Sequence, residues 1–404
     1  MSSIIESVRT FFSDRNILVL TVTGLISAMS FRLWMPYWSL YALDLGADKE
    51  MLGVLAMVQA GSLLLLQIPG GMLADQLGRK RVIVFSTVFE ILTPLLYMLA
   101  KNWTFLALGA VSQSVSWTCM PALNAIVVES LPEDQRGSGL GVYKLVTWLP
   151  RVLMEFIGGV LLDRLGLLPG FRVILAWSTV ASVLILVIRT RGLRETLDMK
   201  PGSRDRGFSF NLSGLPRGIV ALIVVGGVSS FAVRMAMPFM VVYAVEVVGL
   251  SKSQWGLISM VTGILSVVLG TVGGFLSDRV GRKPCLFFSR IVEPLSMLGF
   301  VGARGFGQVF AIRSFSALGS AVGGGLIMKG LMMGGPAWQA LVADMVPSSD
   351  RGRVMGLMGS AQILLGLPST WFGGYLWESY SPETTFQVSG VLGLLAPVVL
   401  YLFL

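Results

Sequence analysis

Gly70-Gly71-Met72-Leu73-Ala74-Asp75-Gln76-Leu77-Gly78-Arg79-Lys80 returns 203 residues later as Gly273-Gly274-Phe275-Leu276-Ser277-Asp278-Arg279-Val280-Gly281-Arg282-Lys283. Seven of the eleven positions are identical, and the offset is about half of the 404-residue chain. Each copy closes one long apolar segment and opens the next. Asp75 or Asp278 stands where the first segment ends, Gly78 or Gly281 permits a tight turn, and the cations begin the following helix. A motif repeated at matching places makes the chain a tandem of two halves.

Hydrophobic residues form 54% of the chain and charged residues only 13%, with a mean hydropathy of +0.76. A soluble domain carries about 25% charged residues, so this is a membrane protein. The 48 glycines suit close helix packing in lipid, where small residues let backbones approach. Cys119 and Cys285 lie far apart in apolar segments, as core residues do, and indicate no disulfide framework. Histidine is absent, and with it any imidazole base, ligand or pH switch. No metal-ligand cluster, nucleophile motif, phosphate-binding loop or soluble domain stands out, so an intramembrane enzyme or a receptor is not expected, nor a cofactor or metal. The first fifteen residues are polar and mixed, which does not suggest a cleavable signal. The pI of 9.8 would suggest nucleic acid in a soluble protein. Here orientation explains it, and no nucleic-acid partner is expected.

A membrane span needs roughly 20 apolar residues. Twelve segments meet that: 17–41, 51–75, 82–100, 104–131, 138–164, 171–190, 217–245, 253–278, 284–302, 308–346, 352–379 and 384–404. Residues 1–190 form one six-helix bundle, 191–216 a solvated cationic linker, and 217–404 the second bundle. With residue 1 in the cytoplasm, 18 of the 31 Lys and Arg fall inside, Arg189 among them, 6 outside and 7 within spans. The positive-inside rule therefore places both termini in the cytoplasm.

The halves match beyond the loop. Arg32 through Tyr37 parallels Arg234 through Phe239 at an offset of 202, and Pro121 through Gly137 parallels Pro336 through Gly352 at 215. The rise in offset puts twelve extra residues before Pro336, in a region that holds Gly323-Gly324-Gly325. An extracellular extension and a broken helix both fit. The doubled loop and the parallel six-helix repeats resemble the major facilitator superfamily, nearest in general pattern to its drug-exporter-like branch. That resemblance implies an all-α fold of twelve transmembrane helices in two pseudo-symmetric bundles, with a substrate site where the repeats meet near the midplane. It also implies that helices 1, 4, 7 and 10 line a central cavity. Two family motifs are not matched: Leu108 stands where helix 4 would carry an arginine, and Pro150 lacks the helix 5 Gly-Pro pattern.

An ion at the bilayer centre costs about 2.5–3.5 kcal/mol or more. Arg32, Arg151, Arg234 and Lys329 are the deep cations. By helical rise they lie about 22–26 Å from cytoplasmic markers, and they would form a basic belt on helices 1, 5, 7 and 10. Arg32 and Arg234 are equivalent in the repeat, as are Glu90 and Glu293. The expected pairs are Arg32–Glu90 and Arg234–Glu293, each holding its own half together, with a direct substrate role as the alternative. Arg151, Glu155 and Lys329 face Gly366, Thr370 and Ser114 in the repeat. Having no charged counterpart, they are the better substrate candidates, unless Arg151 and Glu155 satisfy each other as an i, i+4 pair. Trp34, Tyr37 and Tyr243 are aromatic candidates beside the cavity. Glu155, Glu90 and Glu293 are the candidate proton carriers. An anion arriving at Arg151 would free Glu155 to take a proton.

The repeated loop reads as a switch. Asp75 and Asp278 would accept from a neighbouring helix N-terminus. Arg79 would pair with Glu129 and Arg282 with Asp344, while Gly71, Gly78, Lys80 and Arg136 in one half and Gly274, Gly281, Lys283 and Arg351 in the other complete the motif. The expectation is a monomeric secondary transporter in the cytoplasmic membrane, contacting lipid, a small organic substrate, and protons or another coupling ion. Proton-coupled efflux of an amphipathic molecule is the first reading. Transport or exchange of an organic anion is the second.

Overall fold

The apolar segments fold into helices, and Pro69, Pro94, Pro150 and Pro294 lie inside long helices that continue through them. The computed structural model describes residues 14–131, 136–196, 217–323, 338, 341–342, 345–346 and 351–403. The described helices are α1 (Arg15–Trp34), α2 (Trp38–Asp44), α3 (Lys49–Leu77), α4 (Arg79–Leu99), α5 (Trp103–Trp117), α6 (Met120–Glu129), α7 (Arg136–Leu165) and α8 (Leu167–Gly192). They continue with α9 (Arg217–Ala236), α10 (Met240–Val242), α11 (Lys252–Val280), α12 (Arg282–Val301), α13 (Phe306–Gly323), α14 (Arg351–Gly366), α15 (Ser369–Ser379), α16 (Pro382–Gly393) and α17 (Leu395–Phe403). There is no strand among the described residues. Eight of the described helical stretches are long and apolar enough to cross a membrane. The twelve residues expected before Pro336 lie largely outside the described residues.

The chain divides into two compact units, residues 1–45 with 62–209 and residues 46–61 with 210–404. In the first, α1 packs on α7 and α8, and α4 packs on α5 and α8. In the second, α9 packs on α14 and α16, and α12 packs on α13 and α16. The same four pairings therefore recur in the same order. Proline explains a shared feature of the leading span of each unit. Pro36 and Pro238 lack an N–H to continue the ladder, and each sits in a three-residue 3-10 turn, Met35–Tyr37 or Met237–Phe239.

Glycine sets the packing at equivalent places. A Cβ on Gly158 in α7 would overlap the carbonyl oxygen of Leu33, and one on Gly373 in α15 would overlap that of Met235. Serine repeats too: Ser178 donates to the Ser30 carbonyl at 3.4 Å and Ser389 to the Ala232 carbonyl at 2.7 Å. Residues 46–61 belong with the second unit, where the first half of α3 lies against α15. The carbonyl of Thr370 sits where a side chain on Gly53 would be. Lys49 pairs with Glu246 at 2.8 Å and Trp371 donates to Glu50 at 2.8 Å.

Candidate functional site

In the first unit the deep charges meet where α1 gives way to its 3-10 turn. Arg32 stands three residues before that turn, and its Nη1 donates to Glu155 Oε1 on α7 at 2.7 Å. The Tyr37 hydroxyl, inside the turn, donates to the main-chain oxygen of the same Glu155 at 2.6 Å. Arg151 lies one helical turn from Glu155 on α7. Two guanidinium groups and one carboxylate thus share a small volume. The Glu155 side chain keeps 11% of its exposure and Arg32 keeps 29%, so the pair is shielded yet reachable. Charge-assisted bonds of this kind are strong where water is scarce.

The second unit does not repeat this arrangement. Arg234 Nε donates to the Ser230 hydroxyl at 3.1 Å, and that hydroxyl donates to the Gln362 carbonyl at 2.9 Å. A Cβ on Gly366, the counterpart of Arg151, would lie 2.7 Å from Arg234 Cδ. The absent side chain leaves room for the Arg234 stem, and Thr370 replaces Glu155. The symmetry of Arg32 and Arg234 therefore ends at the backbone.

Both expected scaffold pairs are corrected by the structure. Arg32 joins Glu155, while Glu90 joins Arg189, with Nη1 donating to Oε2 at 2.9 Å. Arg189 is only 3% exposed and also donates to Thr87 at 2.8 Å and to Thr23 at 3.3 Å. The other Glu90 oxygen accepts from Ser27. Arg234 bonds to Ser230 rather than to Glu293, which lines a small cavity with Arg290. Arg189 lies in the last turn of α8, where its position in the sequence reads as cytoplasmic. Its long side chain instead runs back into the bundle, which helical Cβ tilt permits.

The aromatic candidates pack in the cores of their units. Trp34 lies edge-on to Phe31, Tyr97 and Phe171 with centroids 5.0–6.5 Å apart. Tyr243 sits among Phe300, Trp377 and Phe386 and donates to the Val301 carbonyl at 3.1 Å. Tyr37 alone among the three bonds to the charged cluster.

At the repeated loop, Gly78 and Gly281 take φ of 94° and 104°, the left-handed region that glycine adopts without steric cost. Arg79 forms an ion pair with Glu129. The anion at the start of α4 is Glu195, whose Oε1 and Oε2 accept from the Arg79 and Lys80 backbone N–H at 3.1 and 3.0 Å. No signal in the spacing pointed to Glu195, because it lies in the linker following α8. Lys329 and Asp344 lie outside the described residues, as do the side chains of Asp75, Arg136, Asp278 and Arg351.

The family model described as Major Facilitator Superfamily matches residues 20–219 and 222–404. The chain belongs to the Major Facilitator Superfamily. It is a transporter, an integral membrane protein with the all-α fold of that superfamily. It is 25% identical over 387 residues to the Multidrug resistance protein MdtG of Serratia proteamaculans, covering 94% of this chain and 91% of that protein. An uncharacterized MFS-type transporter of Methanocaldococcus jannaschii is 23% identical over 405 residues, covering 96% and 94%. Among solved structures, the nucleoside transporter NupG aligns with a TM-score of 0.77 at 13% identity, covering 96% of this chain and 99% of that one. A D-xylose-proton symporter aligns at 0.71 and 16%, covering 96% and 97%. At these identities the structural likeness establishes the superfamily fold alone.

Proposed function

We propose that this superfamily member is a secondary active transporter working by alternating access in the cytoplasmic membrane, with both termini cytoplasmic. On this reading it exports a small amphipathic organic molecule in exchange for protons. The observation that carries the proposal is the Arg32–Glu155 pair at 2.7 Å beside Arg151, a charged group confined to one unit and set at a break in the leading span. Similarity to multidrug resistance proteins supports the substrate class.

Chemically, Glu155 has two partners to choose between. A substrate that carries a hydrogen-bond donor or a positive charge binds the ionised carboxylate beside Arg32, and a proton on that carboxylate cancels the charge that holds it. Loss of the proton restores that charge, so substrate and proton take turns at Glu155, as exchange requires. Tyr37 bonds the main-chain oxygen of Glu155, so it holds α7 against the 3-10 turn in either protonation state. The Arg79–Glu129 pair and the Glu195 bonds at the start of α4 serve as a latch that one conformation makes and the other breaks. The repeated loop would work the same way in the second half.

A second reading has one observation in its favour. Two guanidinium groups outnumber the single carboxylate, leaving the cluster one positive charge in excess, which suits an organic anion. Proteoliposomes with an imposed pH gradient test the proposal. Glu155→Gln should keep exchange of a lipophilic dye cation but lose gradient-driven accumulation, and wild-type accumulation in that variant would overturn it. If Arg151→Met abolishes exchange of an organic anion and leaves the dye unaffected, the second reading replaces the first.

A further inference from the structure

One helix belongs to both units. Residues 62–77 of α3 lie with the first, and residues 46–61, its leading part, lie with the second. Two backbone approaches seat that leading part on α15. The Thr370 carbonyl occupies the place of a Cβ on Gly53, and the Lys49 carbonyl occupies the place of a Cβ on Gly374. Three polar contacts close the end of the seat. Lys49 Nζ pairs with Glu246 at 2.8 Å, the Lys49 backbone N–H donates to Glu378 at 2.9 Å, and Trp371 donates to Glu50 at 2.8 Å.

The repeat shows how Glu246 comes to face Lys49. Tyr41 and Tyr243 are related by an offset of 202, whereas Gly46 and Gly249, with φ of 88° and 78°, are related by 203. The second half therefore holds one extra residue between its tyrosine and its glycine. In the first half the N–H of Leu45 reaches back four residues to the Tyr41 carbonyl at 3.1 Å. In the second the N–H of Val248 reaches back five, to the Tyr243 carbonyl at 3.0 Å. The extra residue is taken up as a π turn, Tyr243–Val247. Such turns are rare and recur at functional sites. One added residue rotates nearby side chains by up to about 100° round the helix axis, and Glu246 lies inside the turn. Asp44, its counterpart at an offset of 202, closes a regular α-helix. The second half has given up regular geometry at the place where its carboxylate meets α3.

We propose that residues 46–61 are a detachable strap, fastened by the Lys49–Glu246 clasp and released in each transport cycle. This rests on the alternating-access reading, which also puts the clasp at the non-cytoplasmic end of α3. Since α3 is one continuous helix across residue 61, a shift of one unit against the other strains it there unless the strap leaves its seat. The seat is built to part. The clasp stays in touch with water, the Lys49 side chain being 20% and that of Glu246 40% exposed, and exposed ion pairs add little net stability. Gly53 and Gly374 bring backbone to backbone with no side chain to interlock, so the surfaces separate without rotamer changes. Leu52 and Leu55, 0% and 1% exposed, supply apolar grip while the strap is down.

Thr370 lies against Gly53 and is 6% exposed, so a cysteine there reports on the strap. The intact Thr370→Cys protein in nanodiscs, open to reagent on both faces, is treated with a sulfonated maleimide and read by mass spectrometry at residue 370. Lys49→Ala should speed labelling about threefold, and Lys49→Glu or Glu246→Lys about tenfold, because reversal adds repulsion to the lost attraction. Lys49→Glu with Glu246→Lys restores the pair with its charges exchanged and should bring the rate back to within about twofold of the parent. Unchanged rates in the single variants, or a double variant as reactive as either reversal, overturn the clasp. Cys285, 3% exposed in the same unit, should keep its slow rate throughout. If a reversal speeds it, that variant has unfolded and Lys49→Ala alone decides. Rhodamine 6G, a lipophilic dye cation, separates this from the alternating-access reading. Labelling that follows the dye but ignores the charge variants keeps the cycle and refutes the clasp. Labelling that follows the charge variants but ignores the dye keeps the clasp and refutes its release in the cycle.

Discussion

Replacing Arg189 by leucine would test whether the first bundle depends on its buried ion pair. The substitution copies Leu400, which the offset of 211 between the matched Ser178 and Ser389 places opposite Arg189, so a leucine of this size has a precedent in the same fold. It removes three bonds made by Arg189, to Glu90, Thr87 and Thr23. It leaves Glu90 charged, with the Ser27 bond on its other oxygen. Breaking one side of a buried pair costs about 3–5 kcal/mol. The lower end applies here, because an unfolded span in lipid finds substitute partners. At 1.4 kcal/mol per decade, about 3 kcal/mol enlarges the opened population of the first unit by about a hundredfold. The two cysteines report on the units separately, since Cys119 lies in the first and Cys285 in the second and both are 3% exposed. Alkylation followed by mass spectrometry should show Cys119 reacting about a hundredfold faster in Arg189→Leu while Cys285 keeps its rate. Adding Glu90→Gln removes the stranded charge and should recover most of that factor. If Cys119 reacts at the wild-type rate, or if Glu90→Gln adds a further loss, the pair is not what holds the bundle.

Arg32→Leu should lower the unfolding temperature, and Glu155→Gln in the same chain should restore much of it, whereas Glu90→Gln should not. Gly158→Ala and Gly373→Ala should each destabilise by about 1–3 kcal/mol, read as a lower thermal midpoint in detergent, because the added methyl meets backbone that cannot rotate away. Glu195→Ala strips two backbone N–H groups at the start of α4 of their acceptor and should cost about 1 kcal/mol locally, seen as faster amide exchange at residues 79–80. Gly78→Ala should cost about 1–2 kcal/mol from the left-handed backbone alone, with Glu195 Oε2 a further 2.7 Å obstacle to the new Cβ.

The fold was legible because its largest signals are linear. Apolar length gave the spans, and the recurrence of Asp-x-x-Gly-Arg-Lys gave the two halves. Pro36 and Pro238 break their helices by chemistry that acts on their own backbone, although 17–41 and 217–245 read as continuous apolar spans. The site was less legible because partner choice is decided in three dimensions. Arg32 has carboxylates in reach on two neighbouring helices, and counting residues along a span gives depth but not azimuth. Glu90 sits about 13 Å from Arg81 by helical rise, a level that Arg32 could meet only by reaching down. The partner came instead from the end of another helix. Arg189 lies three residues from the end of α8, where a cation also satisfies the positive-inside rule, and a sequence offers no means of telling a side chain that snorkels outward from one that turns in.

The repeat gives a sharper criterion than depth for separating structure from function. Where both halves keep a feature with the same contacts, as with Gly158 and Gly373 or Ser178 and Ser389, the feature serves the bundle, since each bundle needs it independently. Where both halves keep the residues but change the contacts, the residue type alone says little. Arg32 and Arg234 show this, and so do Glu90 and Glu293. The second half lost the carboxylate opposite Arg234, and at the Glu293 level it moved the cation from the last span to α12. These two departures act on different helices, α14 and α15 in one case and α12 and α17 in the other. Neither therefore compensates for the other. Each must be tolerated by its own local chemistry: Ser230 and the room left by Gly366 for Arg234, and the Trp338 ring under the guanidinium of Arg290.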